Sequence, residues 1–168
     1  LKPSFFGFDV YGYSAWEVLQ GIEVPGDRIL VVDEEYGHQG PSVAEYLLDR
    51  NREVEMVTTE ATVGGLLGAT TLPPVLQRLY SKGASIRGHL RMREFTGGQA
   101  IAENVWSNQQ AVLGSYDAFV YAYGGEAVCG VDAQLRGKVE RVELIGDCFA
   151  PRSLQHAILE GHKVGREV

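Results

Sequence analysis

The stretch from Arg28 to Arg50 constrains this chain most. Arg28-Ile29-Leu30-Val31-Val32-Asp33 is followed by a glycine-containing turn ending at Gly40 and then by Pro41 to Arg50. The run Ile29 to Val32 is short, mostly β-branched and bounded by charge, as a strand buried on both faces of a parallel sheet must be. Pro41 fits a first helical turn, where its missing N–H costs nothing. Val43, Ala44, Leu47 and Leu48 then give the stripe that packs a helix against a sheet. The stretch predicts the strand-turn-helix that opens a nucleotide-binding α/β unit.

Such a turn binds a pyrophosphate by presenting backbone N–H groups at a helix N-terminus. Gly37 and Gly40 have the spacing of the last two glycines of G-x-G-x-x-G, and the first glycine is missing. Asp33, Glu34 and Glu35 stand instead where phosphates would sit, in a loop longer than the compact fingerprint by about two residues. A carboxylate about 4 Å from a phosphate costs roughly 1 to 4 kcal/mol per pair at effective dielectrics from about 80 down to 20. The residues therefore specify the fold more strongly than they specify binding.

A second strand is expected over Glu53 to Thr59, ending at Glu60. That glutamate lies 20 residues beyond Gly40, where such a unit places an acidic group on a ribose; a solvated strand-end carboxylate is the plainer alternative. A helix from Pro73 to Lys82 stops at Gly83, and Ala84 to Arg87 forms a third short strand. From His89 the period becomes alternating. Arg91 to Phe95, Ala100 to Trp106 and Ala111 to Leu113 read as an antiparallel meander. Tyr116 to Tyr123 returns to a buried strand ending in Gly124-Gly125. A weak helix over Asp132 to Arg136, a last strand over Val139 to Ile145 ending in Gly146-Asp147, and a closing helix from Ser153 to Val168 complete the chain. That closing helix carries Leu154, Ala157, Ile158, Gly161 and Val164 on one face. Before the first strand, a segment rich in Gly and aromatics (Phe5, Phe6, Phe8, Tyr11, Tyr13, Trp16) has one short helical pattern, Ser14 to Leu19, with Ser14 as its N-cap; it is expected to pack on a neighbouring domain.

The 168 residues, 45% hydrophobic and 22% charged, suit one globular domain with its own core. A formal net charge of -7 and the lack of a basic run argue against nucleic acid or an anionic membrane as partner. No apolar stretch is long enough to span a bilayer and there is no signal-peptide pattern, so a cytoplasmic location is expected. Cys129 and Cys148 lack metal-ligand spacing and are expected to be small buried thiols. His38, His89, His156 and His162 are too scattered for a metal site. Ser42 and Ser153 read as helix N-caps, Glu160 as part of a solvated face, and Trp106 as a core or interdomain contact. The chain begins at Leu1 and ends within a helical pattern, as a piece of a longer protein would.

Several motifs together resemble the C-terminal nucleotide-binding region of the trimethylamine dehydrogenase, histamine dehydrogenase and 2,4-dienoyl-CoA reductase group of flavoproteins. They are Trp16-Glu17-Val18-Leu19-Gln20-Gly21, Ile29 to Asp33 with Gly40-Pro41-Ser42-Val43-Ala44-Glu45, and Leu144-Ile145-Gly146-Asp147 followed by Ala150-Pro151-Arg152 and Gly161-His162-Lys163-Val164. The resemblance implies an α/β, three-layer FAD/NAD(P)-binding (Rossmann-like) domain with a parallel sheet and an antiparallel β-meander crossover. It divides the chain into a flanking segment (1–26), a nucleotide-binding-like domain (27–147) and a helix returning to an FAD-type domain (148–168). In that group a barrel holding FMN and a segment holding a [4Fe-4S] cluster precede this region, so no catalytic residue is expected here. FAD or ADP, and for reductase members NAD(P)H, are the cofactors implied. By the same resemblance Gly146 and Asp147 would contact the flavin or ADP of the neighbouring domain, or else form only a strand-end turn with a helix cap; Gly124 would belong to a tight turn after its strand. The implied partners are the barrel and FAD-type domains of the same protein and an electron-transfer protein. Three readings stay open: a scaffold domain that shares ADP or FAD with its neighbour, a hydride-delivery domain binding NADH through Gly37, Gly40 and Glu60, and a non-catalytic interaction domain.

Overall fold

Ile29, Leu30, Val31 and Val32 are all buried, and their alternation feeds two separate cores. The computed structural model describes residues 12–135 and 137–167. Phe5, Phe6, Phe8 and Tyr11, on which the expected interdomain packing rests, lie outside them. In chain order the elements are β1 (Tyr13–Ser14), α1 (Ala15–Leu19), β2 (Arg28–Asp33), α2 (Gln39–Leu48), β3 (Glu53–Val57), α3 (Leu72–Ser81), β4 (Ser85–Arg87), β5 (Leu90–Thr96), β6 (Gln99–Asn104), β7 (Gln110–Ser115), β8 (Ala118–Ala122), α4 (Gly130–Leu135) and α5 (Leu154–Gly165). The backbone divides into a larger unit ending at Tyr123 and a smaller one starting at Gly124.

The larger unit is built on a five-stranded sheet in the order β1-β8-β2-β3-β4, with every neighbouring pair parallel. Because side chains alternate across a strand, Ile29 and Val31 face one way and Leu30 and Val32 the other. Ile29, Val31, Met56 and Val120 meet Ala15 and Val18 of α1, Val43 and Leu47 of α2, and Val75 and Leu79 of α3. Leu30, Val32, Val57 and Phe119 meet Met92, Phe95, Ala102 and Leu113 of the antiparallel sheet β5-β6-β7. Phe95 and Phe119 pack with ring centroids 5.0 Å apart across this second core. These are the three layers expected from the sequence: helices, parallel sheet and meander. Burying each Val, Leu or Ile contributes about 1.5 to 3 kcal/mol, so the two-faced burial of β2 makes it the centre of the fold energetically as well as topologically.

Local signals act as the sequence suggests at several ends. Ser14 Oγ accepts from Glu17 N–H at 3.1 Å while Glu17 Oε2 accepts from Ser14 N–H at 2.8 Å, a reciprocal cap at the start of α1. Gly83, at φ 91°, ends the turn after α3 in the left-handed region that favours glycine. Elsewhere the ends differ. Helix α2 begins at Gln39, so Gly40 lies inside it and Ser42 is an interior residue rather than a cap. Ser153 precedes α5 but caps it with no side-chain bond; its hydroxyl pairs with His156 Nδ1 at 2.8 Å. Trp106 is 78% exposed, contrary to a core role, and its Nε1 donates to His89 Nδ1 at 3.2 Å.

The larger correction concerns Val139 to Ile145, where no strand forms. Alternation survives, with Val142 and Leu144 half-buried and Arg141 and Glu143 exposed and paired at 2.6 Å. Residues 140–145 have no sheet partner, and period two without a partner gives extended chain, not a ladder. On α5, Ala157, Gly161 and Val164 are half-buried while Leu154 and Ile158 of the same expected face are exposed. None of the described helices is long and apolar enough to cross a membrane.

Between β3 and the meander, Glu55 is a buried carboxylate in ion-pair contact with Arg87 and 4.0 Å from Arg28 Nη2. The Arg28 guanidinium lies 4.9 Å over the Tyr116 ring, and Arg87 also donates to Leu113 O at 3.1 Å. Removing the carboxylate leaves two guanidinium groups with no counter-charge between them. Glu55→Ala is expected to lower the unfolding free energy by about 2 kcal/mol, below the usual cost for a fully buried pair because both arginines reach solvent. Urea denaturation checks it, and a loss under about 0.5 kcal/mol would reduce the group to a surface pair.

Candidate nucleotide-binding turn

Because β2, β3 and β8 run parallel side by side, their C-terminal ends bring Asp33, Thr58 and Ala122 to one edge of the sheet. The turn from Asp33 to His38, the bend at Thr59-Glu60 and Tyr123 all follow from these ends. In an open α/β sheet this carboxyl edge is where ligands bind. Gly37, Gly40 and Glu60 therefore fall in the region their motifs predict, and the question is what the backbone donors there already hold.

They hold carboxylates of the same chain. Glu35 Oε2 accepts from Gly37 N–H at 2.9 Å and from Gln39 N–H at 3.2 Å, at the mouth of α2. Asp33, fully buried, accepts from Tyr36 N–H at 3.2 Å through Oδ1 and from Gly64 N–H at 2.8 Å through Oδ2. Burial pushes the Asp33 carboxyl up to about 6; the two backbone donors oppose that rise, and the Glu35 and Glu34 charges add to it. Glu34 turns the other way. Its Oε2 accepts from the Tyr36 hydroxyl at 2.6 Å and from Thr59 Oγ1 at 3.3 Å, and the Tyr36 and Thr59 hydroxyls stand 2.8 Å apart. Burial, followed by the bond to Glu34, holds the Tyr36 phenol above its ordinary range. Burial does the same to Tyr123, beside Glu34 and Tyr36.

The backbone is shaped around these groups. Tyr36 adopts φ 61°, an uncommon conformation for a residue with a side chain. A Cβ on Gly40 would stand 2.6 Å from the Asp33 carboxyl, and one on Gly37 would stand 2.7 Å from Glu35 Oε1. Both glycines thus make room for a carboxylate of the same chain. His38 precedes α2 and makes no side-chain cap bond, so Glu35 supplies the anion for this helix end. Sequence reasoning placed the three carboxylates but missed their role as acceptors. The available signal was a carboxylate close before a helix start, which is a capping signal as much as a repulsive one. Glu60 is exposed; its carbonyl accepts from His89 N–H at 2.8 Å.

The smaller unit carries the other candidates. Gly146, at φ 60°, opens a short 3-10 turn over Gly146–Cys148, and its N–H donates to Glu160 Oε2 at 2.7 Å. Glu160 also pairs with Arg152 and is held below the ordinary carboxylate range by the Gly146 N–H first and Arg152 second, so it is a structural group and not merely a solvated one. Asp147 is exposed in that turn, and Gly124 lies in irregular chain after β8. Cys129 and Cys148 are half-exposed free thiols with Sγ atoms 3.0 Å apart, not the small buried thiols that the sequence suggests. No group of three or more His, Cys, Asp or Glu suited to a metal ion occurs among the described residues.

No family model matches the chain. By sequence it is 33% identical over 101 residues to an N,N-dimethylglycine/sarcosine dehydrogenase of Chromohalobacter salexigens, covering 58% of this chain and 15% of that protein. By fold it is similar to histamine dehydrogenase from Rhizobium sp. 4-9 (TM-score 0.79, 20% identity, 99% of this chain and 26% of that one). It is equally similar to the 6-hydroxypseudooxynicotine amine oxidase of Pseudomonas geniculata N1 (TM-score 0.79, 22% identity, 91% of this chain and 24% of that one). A flavoprotein disulfide reductase of Escherichia coli matches over the whole chain and 42% of its own, with TM-score 0.61 and 14% identity. The chain thus spans about a quarter of the amine-oxidising structures it matches, and its fold is the FAD/NAD-binding, Rossmann-like one.

Proposed function

We propose that this chain is the nucleotide-binding-type domain of a multidomain flavin-dependent oxidoreductase related to the amine dehydrogenases, and that it acts as scaffold, not as an NAD(P)H-binding hydride donor. The observation that carries the reading is the turn after β2: the N–H groups of Gly37 and Gln39, which would hold a pyrophosphate, hold Glu35. A dinucleotide would have to displace a tethered carboxylate from two charge-assisted bonds, each contributing about 1.5 to 3 kcal/mol. It would then sit beside Asp33 and Glu34. The residues present therefore do not fit a dinucleotide phosphate at this helix, and no hydride step is assigned to it.

The smaller unit supports a shared flavin or ADP site with an adjacent FAD-type domain. The exposed Asp147 carboxylate is suited to accept a nucleotide hydroxyl. Phe149, Leu154, Ile158 and Leu159 expose apolar surface suited to burial against that domain. The barrel with its FMN and iron-sulfur cluster, and an electron-transfer protein as acceptor, complete the proposed assembly.

Calorimetric titration of the intact protein with NADH and NADPH, for the wild type and for Glu34→Ala/Glu35→Gly, tests the reading. Wild-type heat is expected to be absent through millimolar ligand, and the double variant, with its two N–H groups released, is expected to bind at least about tenfold more tightly, a gain of about 1.4 kcal/mol. Micromolar binding by the wild type would make this a hydride-delivery domain instead.

A further inference from the structure

Cys129 immediately precedes α4, and Cys148 closes the 3-10 turn that begins at Gly146. Both thiols are free and half-exposed, both lie in the smaller unit, and their Sγ atoms stand 3.0 Å apart, closer than unbonded sulfurs in van der Waals contact. The Cys129 thiol also meets the Cys148 carbonyl oxygen. Between the two cysteines the chain runs round an open cavity of about 370 Å³, lined by Asp132, Gly137, Val139, Glu140, Val142 and Leu144. The chain leading up to Cys129 is irregular, so it can accommodate the small approach a bond requires.

We propose that Cys129 and Cys148 are an oxidisable dithiol, converted to an intramolecular disulfide by exchange with a low-molecular-weight disulfide, and that the bond locks the turn bearing Gly146 and Asp147. The chemistry balances without any other oxidant. A Cys148 thiolate attacks one sulfur of the small disulfide, forming a mixed disulfide and releasing one small thiolate. The Cys129 sulfur, losing its proton, then attacks the Cys148 sulfur and expels the second small thiolate. The two protein thiols lose two protons and two electrons, and the small disulfide takes up both to become two thiols. The hydrogen bond with the Cys148 sulfur holds the Cys129 thiol above its ordinary range, and in this order of attack Cys129 is the resolving partner.

The pair also sits where oxidation has a local consequence. Cys148 directly follows Asp147, and Gly146 N–H is already anchored on Glu160 of α5. A bond from Cys148 to Cys129 would tie the same turn at its other end to the start of α4. This inference does not depend on the scaffold reading, because a hydride-donor domain would carry the same pair.

The test uses the intact protein incubated with oxidised glutathione, alkylated and digested with trypsin without reduction. Trypsin cleaves after Arg136 and Arg141, so a bond between the cysteines appears as two peptides joined into one species that a reductant separates. Expected are that joined species in the wild type, glutathione retained on Cys148 in Cys129→Ser, and slower backbone hydrogen exchange over 145–150 in the oxidised form. Glutathione on both cysteines of the wild type, or two thiols left unmodified, would overturn the pair. Unchanged exchange alongside the joined peptides would overturn the lock.

Discussion

Gly40→Ala is expected to be among the most damaging single substitutions in this chain, lowering the unfolding free energy by about 3 kcal/mol. Glycine is not needed here for its backbone angles, since Gly40 lies within α2. It is needed because α2 passes close over the end of β2, so that an added Cβ would fall 2.6 Å from both Cγ and Oδ1 of Asp33 and 2.8 Å from its Cβ. No flexible side-chain tip can yield there. Asp33 is fully buried and short, and its two oxygens are fixed by Tyr36 and Gly64 N–H groups. To admit a methyl group, either the carboxylate leaves those donors, stranding buried N–H groups at about 1 to 3 kcal/mol, or α2 lifts and opens the contacts of Val43, Ala44 and Leu47 with the sheet. Thermal and urea denaturation measure the loss. A change below about 1 kcal/mol would mean that α2 is free to shift and that Asp33 does not fix it. The matching substitution at Gly37 is expected to do less, because the atom it meets is the end of the longer Glu35 side chain.

The layered core was legible because it is written in spacing. The two-faced burial of Ile29 to Val32, the stripe of α2 and the change of period at His89 each depend on residues that neighbour one another in sequence or in one helix turn. The Val139 to Ile145 segment shows where that logic ends. Its alternation is real, but a strand also needs a partner, and partners are a property of the rest of the molecule. The same limit applies to the turn. Asp33, Glu34 and Glu35 could be located from the sequence and their charge weighed against a phosphate, yet their roles as acceptors depend on Gly64, Thr59 and the exact start of α2, which no local pattern reveals. The closeness of Cys129 and Cys148, 19 positions apart with α4 and irregular chain between them, had no sequence signal at all.

Asp33 should leave a measurable pH signature of comparable size. Burial raises its carboxyl from 3.8 to about 6, so the folded chain binds the Asp33 proton more tightly than the unfolded chain does. Stability from this group is therefore complete below about pH 4 and is lost as pH rises through about 6, by roughly 3 kcal/mol in all. Most acid titrations of proteins run the opposite way, since ordinary paired carboxylates stabilise as they ionise. The background of those groups cancels when the wild type is compared with Asp33→Asn, which cannot ionise. Asparagine places an NH2 where one Asp33 oxygen accepts, so the variant is expected to be less stable at pH 3; the gap is then expected to close by about 3 kcal/mol between pH 3 and pH 7 in urea denaturation. A gap independent of pH would mean that Asp33 ionises as an ordinary carboxylate. The sign also bears on the turn as a whole: above about pH 6 the folded chain keeps a buried negative charge under the N-terminus of α2 at a cost to its own stability. An anionic ligand brought to that helix end would add to the same cost, which is the physical argument behind the scaffold role proposed for this turn.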